Sequence, residues 1–166
     1  KAWSGGVAAD DKTEVFSLPE PLNEWNYGNG KLFPSKDARL IKGWEMITGW
    51  NPEDGKGTRA NYVDVPMLVS QEAGSLLEYS FKGNAVGIAV AAGPDAGIIN
   101  YRIDNGPWQE QDLFTRWSMH LHLPWYYTLA AGLEEGKHSL QIRMSGEKNP
   151  LSTGHACRIR YFFVNE

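Results

Sequence analysis

The sequence predicts an all-β fold, a two-sheet antiparallel β-sandwich of the jelly-roll type, and three observations carry this prediction. Many short stretches of the 166 residues alternate apolar and polar side chains, as half-buried strands do. The 18 glycines and nine prolines lie between these stretches, where turns would join the strands. No stretch keeps the period of an amphipathic helix over three turns. About nine to eleven short strands result, a number that suits two packed sheets.

Composition and charge limit the classes of protein that this chain can be. Hydrophobic residues make up 42% and charged residues 22%, which is typical of a globular domain. The net charge is −4 and basic residues form no run, so neither nucleic acid nor an anionic membrane is expected as the main partner. No apolar run approaches the roughly 18–20 residues of a transmembrane helix, and no signal peptide is recognised. Because the chain starts at Lys1 rather than Met, we expect a processed product, a fragment or a trimmed product.

The first third of the chain is predicted to contain a lead-in, an edge strand and a loop. Residues 1–12 are predicted to be a flexible lead, and residues 13–166 a single sandwich domain. Residues 13–18 suggest a short edge strand that Pro19 stops. Residues 20–35 have the composition of a loop, and their aromatic side chains either plug one end of the sandwich or contact a ligand. These aromatic residues are Trp25, Tyr27 and Phe33.

The next segments are predicted to be strands around one long loop. Residues 38–41 and 44–50 are predicted strands, and residues 62–70 form a third in which Pro66 indicates an edge or a bulge. Residues 51–59 are predicted to be loop, with Glu53 and Asp54 among glycines. These two carboxylates could bind calcium, although they lack the regular Asp spacing of a dedicated calcium loop. We therefore predict no cofactor and keep calcium as an open alternative.

The middle of the chain carries the clearest strand signals. Residues 76–82 alternate with Leu77, Tyr79 and Phe81 inward. Residues 85–92 place only alanine and glycine on one face, which predicts that an aromatic ring or a backbone packs there. Asn105-Gly106 is a strong signal for a type I′ hairpin turn. A return strand is predicted to begin near Trp108, whose ring should point into the core.

The last third is predicted to contain a loop followed by three strands. Residues 111–124 are predicted to be loop, and residues 125–129, 138–144 and 156–164 to be strands. Alternation requires that one ring of Tyr126 and Tyr127 points inward. In the last strand, alternation places one set of side chains inward, with Cys157 as a buried small hydrophobe. The inward set is Cys157, Ile159, Tyr161 and Phe163, and the outward set is Arg158, Arg160 and Phe162.

The sequence offers little catalytic machinery. It has no G-x-S-x-G elbow and no Gly-Asp-Ser motif, so an activated serine has no recognisable setting. Ser118 is the least ordinary serine because it lies two residues from His120. The pair His120 and His122 could bind a metal if a strand turned both rings to one side, or could be hydrogen-bonding loop residues. A glycosidase needs two carboxylates at a defined separation, and the sequence does not show which of the 20 acidic residues would lie that close together. We predict no catalytic residue and no metal ligand.

The loop and the strand after it instead suggest carbohydrate binding. Sugars stack their C–H patches on aromatic faces and need planar polar partners for their hydroxyls. Aromatic, His, Arg and Asp side chains are concentrated between positions 112 and 127, although some of these rings could belong to the core. The predicted carbohydrate-binding residues are Asp112, Arg116, Trp117, His120, His122, Trp125 and Tyr126.

Several runs of the sequence resemble a known family. AVGIAVAAGPDAGIINYRIDNGPW, DLFTRWSMHLHLPWYYTLAAGLEEGKHSLQIRMS and GHACRIRYFFVN are similar to the β-sandwich accessory domain attached to SGNH/GDSL-type hydrolases of polysaccharide-degrading bacteria. GWNPEDGKGTRANYVDVPMLV is similar to the same module, so the resemblance covers roughly residues 30–165. The pieces GPDAG and LHLPWYY are more specific than the others, which are common among jelly-roll modules.

The resemblance implies an ancillary domain of an exported carbohydrate esterase, in the periplasm, at the cell surface or secreted. The chain departs from a complete enzyme of that kind, since it has no Gly-Asp-Ser block and no downstream Asp-x-x-His. The expected partners are a glycan and the catalytic domain of the same parent protein. Two alternatives remain open. The domain could be catalytic, or complete the active site of an esterase, or it could serve only as a structural packing domain.

Overall fold

The structure, a computed structural model, describes residues 16–20, 22–23 and 26–166. Eleven strands in this part of the chain form two antiparallel sheets. Sheet A contains β1 (Gly30–Pro34), β3 (Glu45–Trp50), β4 (Val65–Ser70), β6 (Ala85–Ala92), β9 (Leu123–Ala130) and β11 (Cys157–Asn165). Sheet B contains β2 (Arg39–Lys42), β5 (Leu76–Lys82), β7 (Ile98–Ile103), β8 (Gln109–Asp112) and β10 (Lys137–Met144). The predicted all-β jelly-roll sandwich is confirmed.

The strand order interleaves distant parts of the chain. Sheet A runs β3-β4-β11-β6-β9, with β1 also paired to β11, and sheet B runs β2-β5-β10-β7-β8. Two short 3-10 helices, Ser35–Asp37 and Ala60–Tyr62, join strands. Within the described residues, no helix is long and apolar enough to cross a membrane. The predicted lead, 1–12, and residues 13–15 of the predicted edge strand lie outside the described residues, and residues 16–18 are not in a strand.

The core lies between the sheets and follows the predicted alternation. Leu77, Tyr79 and Phe81 of β5 are buried there. The ring of Phe162 in β11 stacks on Tyr79 with centroids 4.0 Å apart. Burying a side chain of this size stabilises the fold by about 1.5–3 kcal/mol. Cys157 is also buried as predicted, and burial raises the pKa of its thiol to about 12.

The predicted hairpin turn between β7 and β8 is present, but its central residues are shifted by one. Asp104 and Asn105 have φ angles of 49° and 62°, and Gly106 N donates to Ile103 O at 2.8 Å. The Asp104 carboxylate explains the shift, because it accepts hydrogen bonds from Ser139 N and His138. These bonds to β10 hold Asp104 in the left-handed conformation that the sequence assigns to Gly106.

Two segments differ from the sequence prediction because their partners are distant. Residues 30–34 were predicted as loop, yet they form β1, which pairs with β11. Glycine and proline at the two ends hide this short strand, whose partner β11 is distant in the sequence. Residues 62–64 were predicted as strand, whereas residues 60–62 are 3-10 helix and β4 begins at Val65. Pro66 was predicted to mark an edge or a bulge, and the β3–β4 register does shift opposite it: Ile47 and Trp50 of β3 pair with Met67 and Val65 of β4, so the extra residue lies in β3.

A second bulge reverses the predicted faces of the last strand. The β11–β6 register shifts between Ile159 and Tyr161, so one extra residue changes which side the following side chains face. Ile159 and Phe162 are buried in the core, whereas Tyr161 and Phe163 lie on the outer face of sheet A, opposite Ala89 and Gly87. The inward prediction for Tyr161 and Phe163, and the outward one for Phe162, were therefore wrong.

The predicted inward ring of Trp108 was also wrong. Trp108 is half-buried on the outside of sheet B, where the guanidinium groups of Arg102 and Arg143 lie 4.6 and 4.4 Å from its ring centroid. Cation–π contacts of this kind stabilise an aromatic ring at a polar surface. Trp108 therefore belongs to the charged outer face rather than to the core.

Candidate functional site

The predicted site begins at the loop of residues 113–122, between β8 and β9, and Asp112 fixes the start of this loop. One carboxylate oxygen of Asp112 accepts a hydrogen bond from Phe114 N at 2.8 Å. Its other oxygen accepts one from Asn149 Nδ2 at 2.7 Å. Because both oxygens are engaged within the protein, Asp112 acts as a brace between two loops.

Ser118 braces the middle of the same loop. It is fully buried, and its hydroxyl lies 2.9 Å from Thr115 Oγ1. Thr115 N also donates to it at 3.3 Å. A serine nucleophile needs an accessible hydroxyl and an adjacent base, and Ser118 has a threonine partner and no exposure. The structure gives no support to a catalytic triad at Ser118.

Three of the predicted residues are exposed on this braced loop. Trp117 is 55% exposed, and the Arg116 guanidinium lies 4.3 Å from its ring centroid. His120 is also exposed. Lys56 Nζ donates to Met119 O at 3.2 Å, which ties the loop to residues 51–59. We call Arg116, Trp117 and His120 the loop site.

His122 lies in a different environment from His120. It is 2% exposed, its Nε2 lies 3.1 Å from Asp54 Oδ1, and its ring meets Trp50 edge-on at 5.5 Å. A neutral His122 would carry its proton on Nε2, because that nitrogen faces the carboxylate. Burial alone would raise the pKa of Asp54, but hydrogen bonds from Lys56 N and His122 bring it below its ordinary value.

The two histidines therefore do not share a surface, and the one-sided geometry that metal binding would need is not adopted. Across the described residues, no group of three or more His, Cys, Asp or Glu side chains is arranged to hold a metal ion. The Asp54 carboxylate, which was considered as a calcium ligand, contacts both His122 Nε2 and Lys56 N through its Oδ1 atom.

A polar cavity of about 260 Å³ lies beside His122. Arg158 forms a two-point ion pair with Asp95 on its wall, at 2.8 and 2.6 Å. Burial would raise the pKa of Asp95, and the Arg158 guanidinium more than offsets this and holds that pKa low. Paired Arg–carboxylate groups of this kind are strong structural ties. The Asp95 carboxylate on this wall is thus paired, whereas Arg158 Nε and His122 Nδ1 are buried there without a hydrogen-bond partner among the described residues.

A second cavity, of about 630 Å³, lies between the edges of the two sheets. Its floor contains Tyr79 and Phe81, which are only 4% and 7% exposed. At its rim, His138 Nδ1 lies 2.5 Å from Asp104 Oδ2. Its volume suits a small ligand, but its rings are already packed in the core and offer little surface for stacking.

The last two predicted residues, Trp125 and Tyr126, point to opposite faces of β9. Trp125, 38% exposed, is paired with the core residue Val90 and lies on the inner side. Tyr126, 55% exposed, is paired with Ala89 and lies on the outer side. Tyr127 points inward, and its hydroxyl donates to Leu113 O at 2.9 Å. The requirement that one of the two tyrosines point inward is confirmed.

The seven predicted residues thus separate into three groups. Arg116, Trp117 and His120 are exposed together, Asp112 and His122 brace the loops, and Trp125 and Tyr126 lie on β9. In the first group the Arg116 guanidinium stacks on the Trp117 ring, and His120 is exposed three residues after Trp117 on the same loop. The seven residues do not form one surface. Whether any of them binds carbohydrate stays a prediction.

Sequence reasoning missed the surface around Tyr126. Its ring centroid lies 6.2 Å from that of Phe163, at an interplanar angle of 50°. Tyr161 and Leu32 lie on the same outer side of sheet A. We call Leu32, Tyr126, Tyr161 and Phe163 the aromatic face. The small residues of β6 were the one signal for it, because they predicted an aromatic ring packed on that side.

Comparisons with known proteins bear on this fold. The chain is similar in structure to a two-domain esterase (CEX) active on acetylated mannans, with a TM-score of 0.65 at 10% identity, covering 93% of this chain and 41% of that one. It is also similar to a family two carbohydrate esterase from Cellvibrio japonicus, with a TM-score of 0.51 at 12% identity, covering 81% and 32%. The chain therefore spans about 40% of the length of the two-domain esterase.

A third similar structure is a complete single domain. It is the C-terminal CBM6 domain of a marine laminarinase from Zobellia galactanivorans, with a TM-score of 0.53 at 10% identity, covering 83% of this chain and all of that one. No family model matches the chain, and no curated protein matches it. Identities this low show the fold alone. The resemblance to an accessory sandwich of carbohydrate esterases is confirmed at that level.

Proposed function

We propose that this domain is a non-catalytic carbohydrate-binding module that accompanies an exported bacterial hydrolase of the SGNH/GDSL type. Its sandwich has the fold of a carbohydrate-binding module and of domains found in carbohydrate esterases. The parent hydrolase, its bacterial source and its location outside the cytoplasm come from the sequence resemblance. The loop site is proposed to bind glycan, with a catalytic domain of the same parent as the protein partner.

The observation that carries this proposal is the exposed ring of Trp117 on a loop held by its own hydrogen bonds. Thr115, Ser118 and Asp112 fix the loop backbone, so little conformational entropy is lost when a ligand stacks on the ring. Arg116 and the exposed His120 supply planar donors for sugar hydroxyls. A rigid ring beside planar polar groups is the combination that carbohydrate recognition requires.

The test is binding of the purified domain to soluble polysaccharides by affinity gel electrophoresis and titration calorimetry. The panel contains acetylated mannan, β-1,3-galactan and laminarin, chosen because the structurally similar proteins include an esterase active on acetylated mannans, a galactanase and a laminarinase. We expect at least one polysaccharide to retard the domain. Trp117→Ala should weaken that binding about tenfold, since one stacking contact is lost.

Trp108→Ala is the matched control. It removes the same side chain from the charged outer face of sheet B, where Arg102 and Arg143 enclose the ring, and should leave binding unchanged. Equal losses in both variants would show that the effect is general destabilisation. Absence of retardation by every polysaccharide in the panel would remove the main support for the proposal.

The catalytic alternative is tested in the same preparation. The domain is expected not to hydrolyse a nitrophenyl acetate ester, because the buried Ser118 hydroxyl is engaged with Thr115. Turnover that Ser118→Ala abolishes would favour the esterase alternative instead.

A further inference from the structure

The two outer faces of the sandwich differ strongly in chemistry. On sheet B, hydrogen-bonded polar side chains cross from strand to strand, as solvated sheet faces do. This ladder consists of Arg39, Glu78, Gln141 and Arg102, with bonds of 3.2, 3.0 and 2.8 Å. On sheet A, the corresponding positions of β1, β11 and β9 carry the neutral side chains of the aromatic face. A neutral aromatic surface opposite a charged one indicates a contact surface.

A local backbone feature creates the aromatic face. The bulge between Ile159 and Tyr161 turns Tyr161 and Phe163 outward, and bulges commonly re-aim side chains at functional positions. Without the extra residue, the two rings would point into the core. The outward position of these half-buried rings therefore follows from a specific backbone irregularity.

The floor under the rings fits them closely. A Cβ atom on Gly87 would lie 2.1 Å from Phe163 Cζ and 2.3 Å from Tyr127 O, so the Phe163 ring rests on a bare backbone. Tyr126 and Tyr161 flank Ala89 from the two neighbouring strands. Rings supported in this way are held in place before a ligand arrives, which lowers the entropy cost of binding.

From these features we infer that the aromatic face is a second glycan-binding surface, which holds a single soluble chain of a neutral polysaccharide. The inference rests on the proposed function, since it assumes that the domain binds carbohydrate. Tyrosine rings offer apolar area with a hydroxyl at the edge, which suits a ligand with C–H patches and hydroxyls. The exposed Thr128 adds a further hydroxyl on the same side of the sheet.

Charge and ring geometry narrow the ligand class. The charged group beside the rings is Arg160, whose guanidinium covers Tyr161 at 4.4 Å and donates to Pro66 O at 3.2 Å. The four side chains of the aromatic face, Leu32, Tyr126, Tyr161 and Phe163, are all neutral, and on this basis we assign it a neutral glycan. The 50° tilt between Tyr126 and Phe163 forms a shallow trough. A trough matches one twisted chain, whereas a crystalline surface would require coplanar rings.

The test uses the double variant Tyr126→Ser/Tyr161→Ser, which leaves Phe163 packed on Gly87. Binding to soluble acetylated mannan and to laminarin is measured by calorimetry. We expect the double variant to bind about three- to tenfold more weakly than the wild type. Thermal unfolding shows whether the variant is folded, and Tyr126→Phe, which keeps the ring, should retain most of the affinity.

The outcomes separate this inference from the proposed function. If Trp117→Ala weakens binding and the double variant does not, the domain is a carbohydrate-binding module but the aromatic face is not a glycan surface. Loss in the double variant alone supports the face and removes the loop site. Failure of the wild type to bind any polysaccharide overturns both proposals.

Two further measurements show whether something other than a soluble glycan binds the aromatic face. Sedimentation of the wild type should show a monomer, and a dimer that the double variant abolishes would make the face a protein interface and overturn the inference. Adsorption to crystalline cellulose should be absent. Cellulose binding that depends on Tyr126 and Tyr161 would overturn the assignment to a single soluble chain.

Discussion

At the scale of single residues, His138 shows how one side chain can join a strand, β10, to two turns. Its Nδ1 lies 2.5 Å from Asp104 Oδ2 and its Nε2 lies 2.8 Å from Glu134 O. Both partners are acceptors, so the protonated ring can donate to each. The hydrogen bond with Asp104, followed by that with the Glu134 carbonyl, raises the pKa of His138 above 6.5. Burial alone would raise the pKa of Asp104, but its bonds with His138 and Ser139 N lower it.

The shifts predict a pH-dependent contribution to stability. A raised histidine pKa stabilises the fold fully below the unfolded value of about 6.5, and this contribution is lost as pH rises through the folded pKa. The lowered pKa of Asp104 also stabilises the fold, and this contribution is lost only as the pH falls through the pKa of Asp104 in the folded protein. His138→Gln should therefore lower the free energy of unfolding by at most about 1 kcal/mol at pH 5.5, because Asp104 is half exposed.

Urea unfolding of wild type and His138→Gln between pH 5 and 9 measures this contribution. The difference between the two proteins should shrink as the pH rises. Asp104→Asn removes the charge of the other partner, while asparagine tolerates the positive φ and can still accept from Ser139 N. This variant should lose the same pH-dependent part of the free energy of unfolding. A difference that stays constant over the whole range would contradict the assigned role of the pair.

At the scale of elements, β6 packs closely against its neighbours because Gly87 has no side chain. Gly87→Ala would place a Cβ within 2.3 Å of the Tyr127 carbonyl oxygen and 2.1 Å of the Phe163 ring. The ring can move, but the backbone of β9 is held in the sheet. We expect a loss of about 1–3 kcal/mol in the free energy of unfolding, as overpacking usually causes.

Urea unfolding at one pH measures this loss, with Gly57→Ala as the control. A Cβ on Gly57 would meet no atom within 4 Å, so its substitution should change stability by no more than about 0.5 kcal/mol. If Gly87→Ala proved as stable as the wild type, the close packing of Phe163 on β6 would be contradicted.

Features that neighbouring residues determine were predicted from the sequence, whereas features that depend on pairing with a distant strand were not. The alternation of Leu77, Tyr79 and Phe81 is local, and the strand was predicted correctly. The bulge near Arg160 leaves no local trace, because it is defined by the register of β11 against β6. The faces of Tyr161 and Phe163 could therefore not be read from alternation.

The same limit applies to the candidate site. The exposed loop around Trp117 follows from its irregular pattern, and the braces at Asp112 and His122 depend on distant partners, Asn149 and Asp54. Trp108 was misplaced because its arginine partners come from two other strands. A sequence identifies the aromatic side chains but not which of them share a surface.

At the scale of the whole molecule, the sole cysteine reports on the separation of the sheets. Cys157 is 1% exposed in the core, and burial raises the pKa of its thiol to about 12. Thiol reagents attack the exposed thiolate, so labelling at pH 8 requires the sandwich to open. We expect labelling at least about a thousandfold slower than in the unfolded chain.

Absorbance after addition of a disulfide reagent follows this reaction, and the chain in urea provides the reference rate. One thiol per chain should react in urea. Complete labelling of the native protein at the reference rate would show that the core around Cys157 opens freely.

The position of β11 has a consequence for how this protein folds. In sheet A, β3 and β4 form one pair, β6 and β9 form another, and β11 alone joins the two pairs and also holds β1. The β1–β11 partners are more than a hundred positions apart in sequence, and contacts of such separation form slowly. During synthesis, sheet A can only exist as two separate hairpin-like halves until β11 leaves the ribosome. We therefore expect β1, the first of the described strands to be made, to wait longest for its partner, and the edges of β4 and β6 that β11 will cover to stay unpaired until then.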